Sequence, residues 1–317
     1  MAYYPYFRGK QFELLAIREK AELIAEAEFI PVIEPVRESL TGLERALDAL
    51  HAAGAGAIVI INPKHGDHSE DGSAITELMR DKYLEFGFTP GILLSDAMGL
   101  GSISGLLDQI GAPEVALIHA GFDNDVAVNS EIENRDLNVV NLFIEKSTGV
   151  LYRRRFNQGP KVLIADGFIQ EKNSNYPDVE RFTDLHVTHI EQGFEGFGDF
   201  SIVGDHYSDS GGPAWAVAIH ITFVDPERDG EMFVYHFKSD TNDTPVDPGG
   251  KFMEAVAKLV AEVNSPQTKV FQSTAIEEFR ELYRRRHFPG LGYVKKLSII
   301  HHLETVAQFE FNRQSQG

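Results

Sequence analysis

Apolar residues in this chain come in short dense runs, separated by longer stretches whose apolar positions recur at helical spacing. The runs are FIPVIEPV (Phe29–Val36), AIVIINP (Ala57–Pro63), GILLSD (Gly91–Asp96), VALIHAG (Val115–Gly121), VVNLFIEK (Val139–Lys146), KVLIADG (Lys161–Gly167) and DFSIVGDH (Asp199–His206). Each is rich in β-branched residues and bounded by Gly, Pro, Asn or Asp, the pattern of strands covered on both faces. Helical stretches such as LTGLERALDALHAAG, AITELMRDKYLEF and SISGLLDQIG follow the first three runs. Strand and helix alternating in this way predict βαβ units and a parallel sheet.

Seven such strands suit either an open doubly wound sheet or a closed barrel. The even repeat, and the lack of an early GxGxxG loop, favour an α/β fold of the parallel (βα)8-like TIM barrel type. The eighth strand is expected late in the chain. AWAVAIHITFV (Ala214–Val224) and EMFVYHFKS (Glu231–Ser239) flank DPERDG, a good hairpin turn. One of the two is expected to be an antiparallel insertion and the other to close the barrel, which makes the fold irregular near its last strands. An amphipathic helix is predicted over about 10–28, with apolar Phe12, Leu15, Ile17, Leu23 and Ile24. Further helices are predicted over Lys251–Val263, Thr274–Arg285 and about 294–311, so the chain reads as a single domain over 1–317 with a C-terminal helical extension from about 265.

Composition narrows the chemistry. At 317 residues, 43% hydrophobic and 24% charged, the chain can bury a large core without covalent staples. It has no cysteine, which removes disulfides, zinc–thiolate sites, iron–sulfur clusters and thiol catalysis. No stretch approaches the roughly 20 apolar residues of a membrane span, and the start lacks a secretory pattern, so a cytoplasmic location is expected. The formal charge of −19, from 48 acids and 29 bases, argues against nucleic acid as a partner. The basic runs Arg153–Arg155 and Arg284–Arg286 read as solvated faces paired with nearby acids.

In a parallel barrel the strand ends share one rim, and here those ends are polar. The candidate catalytic residues are Glu34, Lys64, Asp96, His119, Glu145, Lys146, Asp166, Asp205 and His206, with Asn62 beside them. Taken singly, each has a plain structural reading, because strand ends meet turns and Asp or Asn caps the next helix. Together they suit proton transfer between carboxylates and lysines. Asp166, Asp205 and His206 are also of the donor type for a divalent metal, although no dense ligand motif such as HExxH occurs. The loop HGDHSEDGS (His65–Ser73) reads as a solvated segment, a lid or a weak metal site, and Asp166–Asp178 as a loop that shapes a pocket. Gly204–Trp215 is a weak phosphate-loop candidate that lacks the P-loop lysine. His220, His301 and His302 sit in apolar patterns and read as structural.

The opening YYPYFRGKQFELLAIRE, the IEPV strand, INPKHGD and the GFGDF…AIHITF region together resemble the phage-type "beta protein" family, most specifically around Tyr6, Arg8, Gly9, Lys10 and Glu13. The resemblance runs over most of the chain, implies a bacterial or phage setting and brings no catalytic residues with it. Two functions are therefore expected to compete. One is a metal-assisted hydrolase or lyase acting on a polar or phosphate-bearing small molecule. The other is a non-enzymatic module that binds a second protein in a phage-related or anti-phage system, docking through YYPYFRGK or the C-terminal helices. Tyr3, Tyr4 and Tyr6 equally suit a plug at the bottom of the barrel.

Overall fold

The computed structural model describes residues 2–209, 212 and 214–315. They divide into two compact units, the first made of Met1–Asp166 and Thr188–Phe200, the second of Gly167–Val187 and Ser201–Gly317. In chain order the elements begin with β1 (Ala2–Tyr3), β2 (Tyr6–Phe7), α1 (Gln11–Glu19), α2 (Ala21–Glu26), β3 (Val32–Ile33), α3 (Thr41–Ala53), β4 (Ile58–Ile60) and α4 (Ser73–Leu78). They continue with β5 (Thr89–Ser95), α5 (Leu100–Ile110), β6 (Glu114–Ala120), α6 (Asp125–Arg135), β7 (Asn138–Ile144), α7 (Val150–Arg153) and β8 (Lys161–Ala165). The chain then contributes β9 (Val179–Thr183) to the second unit, crosses back at α8 (Leu185–Thr188), and adds β10 (Gly196–Asp199) to the first.

The first unit holds a curled, nine-stranded parallel sheet in the order β1-β10-β8-β7-β6-β5-β4-β3-β2. Its two ends are pieces of one extended segment, interrupted only at Tyr4 and Pro5. On one side Ala2 and Tyr3 pair with Gly196 and Phe197, and on the other Tyr6 and Phe7 pair with Val32 and Ile33. The hydrogen bonds Tyr4 N–H to Phe197 O (2.8 Å) and Val32 N–H to Pro5 O (2.9 Å) continue both ladders through the interruption.

Side chains alternate along each strand, and one set from every strand shares a single apolar cluster. It contains Tyr4 and Tyr6, Val32, Ile58 and Ile60, Leu93, Ala116 and Ile118, Leu142 and Ile144, Val162 and Ile164, and Phe200. Burying each of its valines, leucines and isoleucines stabilises the fold by about 1.5–3 kcal/mol. The opposite set faces the helices; Tyr3, for example, packs edge-on to Phe29 with ring centroids 4.9 Å apart. Room for the tyrosines comes from the glycines of β10. A Cβ on Gly198 would lie 2.1 Å from Tyr4 O and 2.4 Å from Ile164 Cδ1.

In the second unit the sheet is antiparallel, in the order β11-β12-β9, with β11 (Ala218–Asp225) and β12 (Glu231–Lys238) forming a hairpin. Asp225 accepts from Glu227 N–H at 3.0 Å and so shapes its turn. Helices α9 (Pro248–Val263), α10 (Thr274–Arg285) and α11 (Leu291–Gln314) complete the unit, α9 packing on β12 and α11 on β11. Asp247 and Ser273 cap α9 and α10 by accepting backbone N–H groups at 2.8 and 3.2 Å. No described helix is long and apolar enough to cross a membrane.

The first six expected strands and the three C-terminal helices occur where their patterns place them. The late strands differ. The seventh lies at Gly196–Asp199, after which Ser201–Val203 forms a 3-10 turn. Neither strand of the late hairpin joins the parallel sheet, because each satisfies its ladder with the other or with β9. Instead the chain's start supplies both end strands of the parallel sheet, and its Tyr3, Tyr4 and Tyr6 are at most 6% exposed. Of the two roles open to YYPYFRGK, docking surface or interior plug, that burial fits the interior one. Gly198→Ala forces backbone to move at Tyr4 and is expected to cost about 1–3 kcal/mol, as overpacked sites do, read as a lower Tm in a thermal melt.

Candidate functional site

The alternation that builds the apolar cluster also dictates what stands above it. One inward step beyond Tyr6 is Arg8, beyond Val32 is Glu34, beyond Ile60 is Asn62, beyond Leu93 is Ser95, and beyond Ile164 is Asp166. Since all the strands run parallel, this polar layer occupies one edge of the sheet, at the strands' carboxyl ends.

Glu34 anchors the layer. Its side chain is fully buried, and both carboxylate oxygens are engaged. Oε2 accepts from Tyr6 Oη (2.8 Å) and is paired with the Arg8 guanidinium. Oε1 accepts from the Lys64 and His65 backbone N–H groups at 2.9 and 3.2 Å. The guanidinium also lies over the Tyr6 and Phe200 rings, 5.1 and 5.5 Å from their centroids, where the negative ring faces attract it. Gly9 has φ +61, and a Cβ there would stand 2.9 Å from Glu34 O, so only glycine lets the chain turn this close to the pair. A buried charge is tolerable only when paired and hydrogen-bonded, and four donors meet that condition here. Glu34 is thereby a fixed part of the scaffold, joining the chain's start, β3 and the segment after β4.

The other predicted residues divide by location. Asn62 replaces a rung of the ladder between β4 and β5, donating to Leu93 O (3.0 Å) and accepting from Leu93 N–H (2.8 Å). Lys64 and Asp96 are exposed and lie 3.7 Å apart. Glu145 and Lys146 are exposed on the short 3-10 turn Glu145–Ser147, and Asp166 is exposed just past β8. The segment after β4 is firmly seated. His68 is buried against Arg37 O (3.1 Å), and Asp67 accepts from Glu38 N–H at 2.7 Å.

His119 is not in this layer. It belongs to the alternate set on β6, facing the helices, where it is fully buried between Phe143 and Phe156 at centroid distances of 4.4 and 4.3 Å. Asn141 Nδ2 donates to Gln158 O at 2.7 Å, which leaves Asn141 Oδ1 to accept from His119 Nε2–H at 3.0 Å. His119 Nδ1 then accepts from Tyr152 Oη at 2.9 Å. This chain satisfies a neutral imidazole, and burial pushes its pKa down to about 3. Sequence position alone put His119 at a strand end; its parity relative to Ile118 was the signal that it faces the other way.

Asp205 and His206 belong to the second unit, beyond the end of β10, half-buried and exposed respectively. Asp166 belongs to the first. Among the described residues no group of three or more His, Asp or Glu side chains is placed to hold a metal ion. The loop after Asp166 also enters the second unit, where Phe168 and Tyr176 pack on His220 and His236. The Gly204–Trp215 segment includes residues 210, 211 and 213, which lie outside the described residues. His301 is held by Thr222 O (2.7 Å) and Ser273 Oγ (2.8 Å), and His302 by Thr222 Oγ1 (3.0 Å), as expected for structural histidines. The basic runs meet acids, Arg155 with Asp125 at 2.6 Å and Arg284 with Glu281 at 2.7 Å.

His119 sets a pH dependence. Its folded pKa lies far below the unfolded value near 6.5, so the unfolded chain takes up a proton that the folded chain refuses. The stability it protects is complete above pH 6.5 and falls by about 1.4 kcal/mol per pH unit as pH drops toward 3. His236 and His301, both lowered to about 4 chiefly by burial, act in the same direction. Denaturant melts at pH 7.5, 6 and 5 are expected to show a shallower acid loss for His119→Gln than for the unaltered protein.

No protein-family model matches the chain, and no curated protein matches it. Solved structures similar to it include a D-allulose 3-epimerase from Methylomonas sp. in complex with D-allulose, with TM-score 0.37 and 11% identity over 63% of this chain and 84% of that one. A second is the apo form of a 3-keto-D-glucoside 4-epimerase from E. coli, with TM-score 0.36 and 13% identity over 65% of this chain and 93% of that one.

Proposed function

We propose that the first unit is a small-molecule-processing barrel, closed through the Ala2–Phe7 segment, whose working surface is the carboxyl edge of its parallel sheet. The observation that supports this reading is the polar layer seated directly on the apolar cluster, with the buried Arg8–Glu34 pair at its fixed end. Such a layer is a ready acid–base surface: held charges orient a polar substrate, and exposed carboxylates and amines exchange protons with it. In this reading Arg8 and Glu34 fix the local electrostatics. Asp166, Lys64 and Asp96 transfer protons, and Glu145 and Lys146 border the substrate. A polar, hydroxyl- or phosphate-bearing small molecule fits this surface, in a hydrolase or lyase reaction that turns on proton transfer.

A second reading, an interaction module in a phage-related system, draws on the family resemblance and on one surface feature. Val126 on α6 and Leu151 on α7 are 72% and 71% exposed, and the Asp125–Arg155 pair ties the start of α6 to the residues just after α7. Exposed aliphatic side chains of this kind suit a partner protein.

Closure of the sheet makes the Tyr4 and Val32 amides slow to exchange with deuterium, together with those of β6 and β7; rapid exchange at Tyr4 alone would show an open edge. The functional test is incubation of the protein with a bacterial metabolite extract, read by mass spectrometry. Consumption of a polar metabolite, abolished by Asp166→Asn at unchanged Tm, supports the enzyme. Glu34→Gln is expected to lower stability by about 3–5 kcal/mol, because it leaves the Arg8 charge buried without its partner. An unchanged extract, with a co-purifying protein lost on Leu151→Asp, replaces the enzyme with the module.

A further inference from the structure

The antiparallel sheet of the second unit lines up three titratable side chains. His220 of β11 stands directly opposite His236 of β12, and Glu180 of β9, opposite Val234, is the diagonal neighbour of His236. They form a continuous hydrogen-bonded chain: His220 Nδ1 is 2.7 Å from His236 Nδ1, and His236 Nε2 is 2.9 Å from Glu180 Oε1. An ionised carboxylate only accepts, so His236 carries its proton on Nε2. Its Nδ1 must then accept, which puts the proton of His220 on Nδ1 and leaves a lone pair on His220 Nε2. His119 and His301 differ, since both ring nitrogens of each are engaged by their neighbours. His220 is half-buried, and among the described residues nothing is hydrogen-bonded to its Nε2.

We propose that His220 Nε2 is the general base of a second reactive site, one that hydrolyses activated acyl esters. Nε2 takes a proton from water as the water oxygen bonds to the acyl carbon; the ester C–O bond then breaks, and the alcohol leaves with the electron pair and regains the proton from Nε2. The imidazolium formed on the way donates its Nδ1–H to His236, which Glu180 orients, so these two are positioning residues. The rings are held for this task. Tyr176 stacks on His236 with centroids 4.5 Å apart, and Phe168 and Tyr176 each meet His220 edge-on at 4.9 Å. Burial keeps both imidazoles neutral, His236 with its pKa lowered to about 4, and His236 and Lys295 of α11 add to the lowering at His220. Lys238 lowers His236 further and Asp178 opposes it, while burial and then Glu171 raise the Glu180 carboxyl. The positive charge of Lys295 beside the base suits the oxyanion that develops on the acyl oxygen. This site belongs to the second unit and stands whether or not the polar layer of the first is catalytic.

The test is hydrolysis of p-nitrophenyl acetate by the full chain, with thermal melts and nitrogen NMR of the imidazole rings. The unaltered protein is expected to release p-nitrophenolate above the buffer rate, and His220→Ala to lower that rate about a hundredfold, as loss of a general base does. His51→Ala removes an exposed imidazole on α3 and is expected to leave the rate unchanged. Glu180→Gln, at a partly exposed side chain, is expected to lower kcat about tenfold at unchanged KM and Tm, because the charge on His220 loses its backing. NMR is expected to place the proton of His220 on Nδ1 and that of His236 on Nε2. The proposal is overturned if the ester is not hydrolysed, if His220→Ala and His51→Ala behave alike, or if His220 carries its proton on Nε2. An unchanged rate in Glu180→Gln overturns the backing by His236 and Glu180. Where His220→Ala does not fold, the Glu180→Gln rate and the proton positions decide in the same way.

Discussion

The first unit depends on six residues being hydrogen-bonded on both sides. Ala2–Phe7 pairs with β10 through its first half and with β3 through its second, so the two ends of the strand order meet in one stretch of chain. A parallel sheet with exposed edges leaves rows of unpaired N–H and C=O groups, and this segment occupies both. Its side chains are committed in the same way: Tyr4 and Tyr6 complete the apolar cluster, while the Tyr3 hydroxyl donates to Asp199 Oδ1 at 2.8 Å on the opposite face.

The Glu34 cluster follows from that constraint. Arg8 immediately follows the segment, and strand parity aims it toward the same layer as Glu34 and Phe200. Because Lys64 and His65 donate to the same carboxylate, the chain's start, the turn after β3 and the turn after β4 are fixed relative to one another.

The two units treat histidine alike. His119 in one, and His236 and His301 in the other, are buried among aromatic or hydroxyl partners and held neutral. A histidine in an apolar run is thus a core residue here, with partners such as Asn141 and Ser273 supplying the hydrogen bonds its ring needs. His119 was expected at the working edge because it nearly ends a strand. It is excluded from that edge by the alternation of β6, in which Ile118 faces inward.

By itself the sequence determined the local elements. Six parallel strands, an amphipathic helical stretch near the start (read as one helix, found as α1 and α2) and the three C-terminal helices are encoded in hydrophobic periodicity, a property of neighbours in the chain. It also determined that the ends of those strands would be polar, and that Glu34 and Asp166 would stand among them. What only the tertiary structure decided was pairing. The late hairpin looks like two sheet strands, yet it pairs with itself and with β9. YYPYFR suits either a docking surface or a plug by its letters, and it supplies both end strands of the parallel sheet. The same holds for the polar layer: Glu34 is one strand-end acid until Arg8 arrives. Hydrogen-bond partners distant along the chain are chosen by the geometry of strand pairing and burial, and local periodicity carries no information about them.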